Sequence, residues 1–421
     1  IMQAGGFDAV IGNPPYVRME EFKEIKNYLK QHYRVHEERS DLYTYFIEKG
    51  HNLGKKSGFF GMIFSNKFLK AKYGKPLRQF LTNEARVKNI VDLAGLPVFP
   101  NATVRTIVLI SQRTNENGYS FKYVPPLNVE LFEKVSNQNV ALEKAVDVNS
   151  YLLSSDVLGS SVWILIDPQK QQLFEKILAG AKKLGQIYNG QICMGIKSGA
   201  TAAFTIDPKK REEIISKNPD ADEIIKPFLN GKDVQRYQIL WDSKYLIYTY
   251  HGIDITKYPE VLEHLKQYKA QLKQRATKQE WYELQQPQFK YRPYFEGTKI
   301  IFPDISKDVR FALDTSGYYS SNTTYFIPTQ DKYILGLLNS KLAYYCFSIL
   351  CAGLEGKNET YLRFFGQYLE EFPIRTIDVS DPADVTRHDR MVTLVEQMLD
   401  LNRRLAAAKA PHEKEVLAGM I

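Results

Sequence analysis

Four residues near the start of the chain have the types and spacing of a small binding site. Asn13, Pro14, Pro15 and Tyr16 directly follow a short apolar run bounded by two glycines. Because proline lacks a backbone N–H and has a fixed φ, a strand must end at Pro14, and the residue before it is held extended. The sequence therefore places an amide and an aromatic ring at the carboxyl end of a strand, where open α/β sheets bind ligands. An ordinary strand and polar turn is the alternative.

The elements around these residues follow from the apolar pattern. Residues 7–11 form a short apolar run, which predicts a buried strand rather than a helix. Downstream, the pattern predicts a helix and turn, a strand that leads into a loop, a helix followed by a strand, and a final strand. These segments are residues 40–58, 59–69, 74–95 and 98–111.

The motif and the order of the elements after it resemble a known family. The four residues match motif IV, (D/N/S)-P-P-(Y/F/W), of the amino-methyltransferases that act on DNA. The sequel resembles the second half of the catalytic domain of adenine-specific methyltransferases, especially the large Type IIG restriction–modification enzymes. The resemblance spans about residues 1–113. It implies an α/β fold in which these residues form the C-terminal half of a Rossmann-like methyltransferase domain.

The resemblance also implies a role for the motif. The nucleophile would be the exocyclic amino group of adenine, whose lone pair is delocalised into the ring. The side-chain oxygen of Asn13 and the backbone carbonyl of Pro14 would accept its two N–H groups and favour a tetrahedral nitrogen. Such a nitrogen can attack the methyl group of S-adenosylmethionine. This catalysis rests on positioning and electrostatic stabilisation rather than on a base, and Pro15 completes the motif.

Stacking residues are implied because the amino group cannot be reached inside a duplex and the base must be flipped out. A flipped base is held by stacking, worth about 1–3 kcal/mol per aromatic partner. Tyr16 suits one face of the base. Phe99 is the position that matches the family's second aromatic residue. The alternative for Phe99 is a loop residue that plugs the edge of the core.

The cofactor-binding signature of the family is missing from this sequence. Relatives bind S-adenosylmethionine through a glycine-rich loop and an acidic residue that precede the motif. Only twelve residues precede Asn13, and they contain no such loop. Residues 92–95 are a poor substitute and are better interpreted as a strand end and turn. The chain also lacks an initial methionine. We therefore expect a fragment that does not bind S-adenosylmethionine appreciably by itself.

The composition is that of a folded protein with more than one domain. The chain has 421 residues, of which 44% are hydrophobic and 13% aromatic, enough for two or three cores. Three cysteines without paired metal spacing predict neither a metal site nor a disulfide framework and favour an intracellular protein. The family resemblance implies the cytoplasm of a prokaryote. Residues 333–354 are the most apolar, but Asn339 and Lys341 predict a buried helix rather than a membrane span.

The basic charge is unevenly distributed. Residues 1–113 contain 18 basic and 10 acidic residues, a net charge of +8 that equals that of the whole chain. A basic face of this kind suits a polyanion. Residues 266–294 contain seven basic and two acidic residues among aromatic residues and glutamines, which suits phosphate and base-edge contacts. A solvated helix and loop is the alternative. The candidate DNA-binding residues are Lys266, Lys269, Lys273, Arg275, Lys278, Lys290 and Arg292.

A second region follows a polar stretch, residues 114–159, that we interpret as a linker. Residues 160–376 resemble the TaqI-like C-terminal specificity domain of restriction–modification methyltransferases, through motifs such as ICMGIKSGATAAFTID and IIKPFLNGKDVQRY. This resemblance implies an α+β target-recognition domain and double-stranded DNA as the partner. Residues 377–421 are predicted to be a C-terminal helical segment that packs against the recognition domain or, alternatively, forms a coiled coil.

The two resemblances together imply a site-specific adenine-N6 DNA methyltransferase of a restriction–modification system. A non-enzymatic recognition subunit is one alternative, but a pure reader of DNA has no need of amino-group acceptors such as Asn13. A methyltransferase of a BREX-like phage-defence system is the other. The sequence contains no convincing nuclease constellation, so we expect that any nuclease domain would lie upstream.

Overall fold

The computed structural model divides into two compact units, residues 1–176 and 177–421. The division does not fall at the predicted linker, residues 114–159, because that segment contributes two strands to the sheet of the first unit. The residues that the structure describes are 5–17, 21–94, 96, 98–99, 105–126, 129–159, 162–355 and 360–421.

The first unit alternates helices and strands, as predicted for an α/β fold. Within the described residues, the four segments predicted downstream of the motif form the expected helices and strands, except that the strand predicted to begin at residue 59 already begins at Gly54, in place of the predicted turn. In chain order the elements are β1 (Phe7–Gly12), α1 (Lys26–His32), α2 (Tyr43–Leu53), β2 (Gly54–Ser65), α3 (Lys75–Glu84), β3 (Ala85–Asp92), β4 (Thr106–Arg113), β5 (Ser120–Val124), α4 (Val129–Ser136), α5 (Leu142–Asn149), β6 (Tyr151–Ser154) and α6 (Pro168–Leu178).

These strands form one mixed sheet with the order β1-β2-β4-β3-β5-β6. β1 is parallel to β2, and β3 is parallel to β5, while β4 runs antiparallel to both β2 and β3. β6 extends the sheet antiparallel to β5. Because β1 and β2 run the same way, the residues that follow them lie at the same edge of the sheet.

One face of β2 forms the centre of the core. Phe60, Met62 and Phe64 are buried on the side that faces α2. A Cβ atom added to Gly50 of α2 would lie 2.6 Å from the Phe60 ring, so only glycine lets the helix approach this closely. The ring of Tyr43, at the start of α2, stacks on Phe64 with centroids 5.5 Å apart. The sheet is thus fixed against α2 directly behind the motif.

β1 is not the buried strand that its apolar run predicted. Ile11 is 85% exposed and Phe7 38% exposed. Within the described residues β1 pairs only with β2, so its outer edge and one of its faces have no neighbour. The prediction was wrong because an apolar run shows that a strand is suited to burial, but it does not show which neighbours cover it.

The second unit combines short strands and helices, as expected for an α+β recognition region. One of its two largest sheets consists, in order, of residues 319–320, 225–229, 245–247 and 205–206, and the other of residues 312–314, 299–303, 324–327 and 193–194. The elements are β7 (Ala181–Lys183), α7 (Leu184–Ile187), β8 (Cys193–Met194), α8 (Thr201–Phe204), β9 (Thr205–Ile206), α9 (Pro208–Lys217), β10 (Ile225–Leu229), β11 (Val234–Gln235), β12 (Gln238–Ile239), β13 (Tyr245–Ile247), α10 (Pro259–Lys266), α11 (Lys269–Lys273), α12 (Arg292–Glu296), β14 (Lys299–Pro303), β15 (Ile305–Ser306), β16 (Ala312–Asp314), β17 (Tyr319–Ser320), β18 (Thr324–Ile327), α13 (Lys332–Leu338), α14 (Lys341–Leu350), β19 (Ala352–Glu355), β20 (Thr360–Arg363), α15 (Gly366–Leu369), β21 (Pro373–Arg375), α16 (Pro382–Ala407) and α17 (Pro411–Met420).

A buried ion pair joins two strands of this unit. Lys299 of β14 and Asp314 of β16 face each other 2.5 Å apart, and both side chains are fully buried. The ammonium group also donates to the carbonyl of Phe295 at 2.6 Å. The carboxylate accepts from the backbone N–H groups of Ser316 and Tyr318. Burial lowers the pKa of Lys299, and these partners compensate the desolvation of both charges.

Most of residues 333–350 are buried as predicted, although Leu342 and Tyr344 are exposed, and this stretch forms two helices rather than one. α13 and α14 meet at an angle of 65°. The break contains Asn339, whose amide donates to the Phe311 carbonyl at 2.8 Å and accepts from the Phe311 N–H at 3.1 Å. Ser340 then caps α14. In the described residues no single helix is long and apolar enough to cross a membrane. The bent pair of α13 and α14 resembles a membrane span only in its length and composition.

The long C-terminal helix α16 packs against α13, as the first of the two interpretations predicted. A Cβ atom at Gly336 of α13 would lie 2.8 Å from Val395 of α16. An ion pair of 2.5 Å between Lys332 and Glu396 joins the same two helices. The part of α16 around Met391 and Val395 is therefore packed within the second unit.

Candidate functional site

The proline motif lies where the sequence predicted, at the carboxyl end of β1. The parallel register with β2 runs from Ala9 opposite Phe59 to Gly12 opposite Met62, and Asn13 is the next residue. Pro14 is buried, whereas Asn13 is exposed. The fixed φ of proline thus ends the strand and leaves the amide at the edge of the sheet.

The two hydrogen-bond acceptors of the motif have no partner within the described residues. Within the described residues, no hydrogen bond is made by the side chain of Asn13 or by the carbonyl of Pro14. Both oxygens are therefore free to accept from a ligand. Their positions in the sequence guarantee that they lie close together, since the two residues are adjacent.

Tyr16 is held in place by the neighbouring strand. Its hydroxyl donates to the Ile63 carbonyl of β2 at 3.2 Å. Burial raises the pKa of Tyr16 to about 12, so the hydroxyl stays protonated and keeps donating at neutral pH. One residue later, the carbonyl of Val17 accepts from the N–H of Leu42 at 2.9 Å. The ring is therefore fixed between β2 and the start of α2.

The structure brings together the two aromatic residues that the sequence paired. The rings of Tyr16 and Phe99 have centroids 5.7 Å apart and an interplanar angle of 66°. The contact is edge to face, a favourable aromatic geometry. The two rings do not enclose a parallel gap, so a planar ligand can enter between them only if one ring turns.

Asp92, at the carboxyl end of β3, has a structural use. Its carboxylate accepts from the N–H of Ala94 at 2.9 Å and from the hydroxyl of Tyr123 at 3.4 Å. Burial raises the pKa of this carboxyl group. The interpretation of residues 92–95 as a strand end and turn is thereby confirmed as far as residue 94. Residues 95, 97 and 100–104 lie outside the described part of the chain.

Several of the predicted DNA-binding cations of the second unit are exposed. Lys266 pairs with Glu263 at 2.9 Å on the surface of α10. Lys269 is exposed. Lys273 and Lys278 are also exposed, and neither forms an ion pair within the described residues. These ammonium groups can reach a phosphate without breaking a buried interaction.

The last two candidate cations lie near aromatic or acidic groups. The ammonium of Lys290 is 4.7 Å from the centroid of the Tyr291 ring, within the range of a cation–π contact. Arg292 lies 3.4 Å from Glu296 one helical turn later. Both contacts are at or near the surface, where such pairs contribute little and are easily exchanged.

Arg275 is used differently from the prediction. Its guanidinium donates to the carbonyls of Ser198 at 2.9 Å, Leu272 at 3.0 Å and Trp281 at 2.9 Å. Burial lowers the pKa of this group. A guanidinium that is already bonded to three segments has few donors left for phosphate. We therefore exclude Arg275 from the proposed DNA contacts. The sequence prediction included it because a basic, aromatic sequence pattern does not reveal the carbonyl partners of one arginine.

One contact of the second unit had no signal in the sequence. Lys197 and Gln286 face each other in a one-pair antiparallel bridge, with hydrogen bonds of 3.1 and 2.8 Å between their backbones. A single bridge has no periodicity, so no pattern in residues 192–207 or 266–294 could predict it.

Two family models match the chain. The model described as Eco57I restriction-modification methylase matches residues 1–99, and the TaqI-like C-terminal specificity domain matches residues 226–374. The Type II methyltransferase M.BstVI of Geobacillus stearothermophilus is 24% identical over 93% of this chain and 71% of its own length. The Type II restriction enzyme and methyltransferase RM.Eco57I of Escherichia coli is 25% identical over 91% of this chain and 42% of its own length.

A solved structure has a similar fold. The Type IIL restriction-modification enzyme MmeI, determined in complex with DNA, matches 98% of this chain with a TM-score of 0.55 and 13% identity. At that identity the likeness shows the fold alone. The chain spans 56% of the length of that enzyme.

Proposed function

We propose that this chain supplies the catalytic motif and the target-recognition part of an adenine-N6 DNA methyltransferase. The chain belongs to the restriction–modification methyltransferases with an Eco57I-like methylase region and a TaqI-like C-terminal specificity domain. The observation that carries the proposal is the pair of free acceptors at Asn13 and Pro14, beside the contact of Tyr16 with Phe99. A protein that only reads DNA has no use for two acceptors aimed from the edge of a catalytic sheet.

The two acceptors act on the amino group of the target adenine. The oxygen of Asn13 and the carbonyl of Pro14 each accept one N–H, which disfavours delocalisation of the nitrogen lone pair into the ring. The nitrogen then becomes nucleophilic without losing a proton to a strong base. The strand end and the proline ring fix the backbone of both residues, so the Pro14 carbonyl needs little reorganisation during the reaction.

The aromatic pair positions the extrahelical base. A base that leaves the duplex needs a stacking surface, and the rings of Tyr16 and Phe99 are the aromatic groups beside the acceptors. The hydroxyl of Tyr16 is tied to Ile63, so we expect Phe99 to turn while Tyr16 stays in place. The base then slides over Tyr16 with its amino group towards Asn13.

S-adenosylmethionine supplies the methyl group in this chemistry. In the described residues no glycine-rich turn between a strand and a helix precedes Asn13, so the chain does not fit the cofactor by itself. We propose that the binding loop belongs to a part of the enzyme outside these 421 residues. Calorimetry of this chain with S-adenosylmethionine should then give no heat of binding at micromolar concentrations, and measurable micromolar binding would contradict the proposal.

The second unit binds the duplex around the target adenine. The cations of residues 266–292, apart from Arg275, contact phosphates and set the orientation, whereas base-edge contacts select the sequence. The balance of basic and acidic residues outside residues 1–113 is compatible with this division, because only a local cluster of cations is needed.

Long-read sequencing of host DNA tests the proposal. A host that carries the intact gene should contain N6-methyladenine at one recurring sequence. The same gene with Asn13→Ala should leave that sequence unmodified, whereas the exposed Asn27→Ala on α1 should leave it methylated. Modified cytosines, or methylation that survives Asn13→Ala, would contradict the proposed substrate or the proposed role.

A further inference from the structure

Three exposed polar side chains of the second unit come from distant segments and lie side by side. The first contact is the antiparallel bridge between Lys197 and Gln286. The backbones exchange both hydrogen bonds, at 3.1 and 2.8 Å. Residues paired in this way project their side chains on the same face, and both side chains are exposed.

The third side chain is placed by a parallel bridge on the other side of the same segment. Ile196 faces Ser321, and the N–H of Asn322 donates to the Ile196 carbonyl at 2.8 Å. Ile196 and Ser321 are buried. Asn322 lies in the turn between Ser321 and Thr324, and its hydrogen bond to Ile196 holds it beside the peptide that links Ile196 to Lys197. The side chains of Lys197 and Asn322 are both exposed. Gln286, Lys197 and Asn322 therefore form a row, called here the polar row.

The backbone under the polar row is tightly held. A Cβ atom at Gly195 would lie 2.1 Å from the carbonyl oxygen of Ser321, so glycine is required for this close approach. On the other flank, Arg275 donates to the Ser198 carbonyl at 2.9 Å. Side chains that discriminate between ligands need such a rigid support, because a loose backbone would let them adapt to any partner.

The members of the polar row have no other use within the protein. In the described residues none of their side chains takes part in a hydrogen bond or an ion pair. A row of amide, ammonium and amide groups presents the donors and acceptors that recognise base edges, since Gln and Asn pair with adenine and Lys with guanine.

We infer that the polar row reads consecutive base pairs in the recognition sequence, an inference that rests on the proposed function. Two strand spacings of about 4.8 Å give the row a length of about 10 Å. Base pairs are stacked about 3.4 Å apart, so the row covers about three of them. The lysines of residues 266–290 bind phosphates, and the polar row supplies sequence information that they cannot.

Selection from a pool of randomised duplexes tests this role with the 421-residue chain as it stands. The unmodified chain should enrich a sequence. Gln286→Ala, Asn322→Ala and Lys197→Met should each lower discrimination at one or two adjacent positions by at least about fivefold. The matched exposed variants Gln271→Ala and Lys209→Met should enrich the original sequence unchanged.

A variant that prefers a different base distinguishes a role in base recognition from a loss of folding. Gln286→Glu replaces a group that pairs with adenine by one that accepts from cytosine N4, so it should shift the preferred base rather than abolish preference. An unchanged sequence in every variant of the row would overturn the inference alone. Equal weakening on all sequences with a smaller salt dependence would also overturn it, because it would make these residues phosphate contacts. An unmodified chain without any sequence preference would overturn the proposed recognition function as well.

Discussion

The two units differ in the interactions that stabilise each of them internally. In the first unit, β2 and β4 pair continuously over seven residue pairs, from Phe59 opposite Gln112 to Ser65 opposite Thr106. In the second unit, strands have two to five residues, and single polar side chains such as those of Arg275 and Asn339 join distant segments. The regular sheet holds the few groups that we propose to be catalytic at a strand end, whereas the irregular unit presents many surface positions that can change independently.

This difference predicts where a single substitution does most harm. In the first unit, changes at the sheet edge should affect chemistry while the fold persists. In the second unit, a buried polar residue that joins segments should affect the fold, while exposed residues beside it affect only recognition. Four experiments test this comparison, beginning with the largest expected effect.

Breaking the buried ion pair should be the most destabilising change. Lys299→Met leaves the carboxylate of Asp314 buried without its cation, which costs about 3–5 kcal/mol of the free energy of unfolding. The double variant Lys299→Met with Asp314→Leu should recover a large part of this loss, because it buries no charge. Urea unfolding of the second unit measures both. If the single variant unfolds like the unmodified chain, polar links do not hold this unit.

Acidification should selectively weaken the first unit through His51. Its ring is buried against Phe60, with centroids 4.5 Å apart, and its Nε2 lies 3.1 Å from the Ser111 hydroxyl. Burial lowers the pKa of His51 to about 4. The unfolded state, with a pKa of about 6.5, therefore binds the proton first as the pH falls. The contribution of neutral His51 to the free energy of unfolding is fully present above about pH 6.5, falls between about pH 6.5 and 4, and then levels off.

Across this pH range, His51 lowers the free energy of unfolding by a total of the order of 3 kcal/mol. Urea unfolding at several pH values should show a smaller pH dependence for His51→Gln than for the unmodified chain. The exposed His32→Gln is the control and should keep the original dependence. If the free energy of unfolding depended on pH in the same way in all three proteins, His51 would not be the titrating group.

Removal of the Tyr16 ring should affect methylation but not the fold or DNA binding. A lost stacking partner costs about 1–3 kcal/mol, so Tyr16→Ala in the full-length enzyme should lower the methylation rate by about 5- to 150-fold. Tyr16→Phe keeps the ring and loses only the hydrogen bond to Ile63, so its effect should be smaller. Single-turnover methylation and a gel-shift assay separate the two properties. Parallel loss of DNA binding in Tyr16→Ala would contradict the assigned role.

The smallest effect on stability is expected from the surface lysines of the second unit. Replacement of Lys266, Lys269 and Lys273 by alanine should weaken binding to all duplexes alike and reduce the slope of log K against log salt by about 0.9 per lost phosphate contact. The control replaces three other exposed lysines of the unit, Lys209, Lys217 and Lys414. New methylated sequences after the first set of substitutions would instead make these lysines base readers.

The sequence predicted what depends on local patterns. The position of Asn13 at a strand end follows from Pro14, and the downstream helices and strands follow from their periodicity. The contact of Tyr16 with Phe99 was expected only through resemblance to a family, since 82 residues separate them along the chain. Local pattern and family resemblance thus sufficed for the arrangement of the candidate active site.

Contacts between distant segments were not predictable from the same patterns. Arg275 looks like its basic neighbours in sequence, yet its guanidinium donates to the carbonyl of Ser198, 77 residues away, as well as to those of Leu272 and Trp281. Ile11 looks like a core residue, yet it is exposed because β1 lies at the edge of the described sheet. In both cases the environment is set by tertiary neighbours whose identity no window of sequence contains.

The open edge of β1 has a consequence for handling the isolated chain. Phe7, Ala9 and Ile11 present an apolar strand with unpaired backbone groups on its outer side within the described residues. Such an edge can pair with the same strand of another molecule and seed aggregates. We expect turbidity that grows with protein concentration and time on storage, and Ile11→Lys should improve colloidal stability without changing the melting temperature.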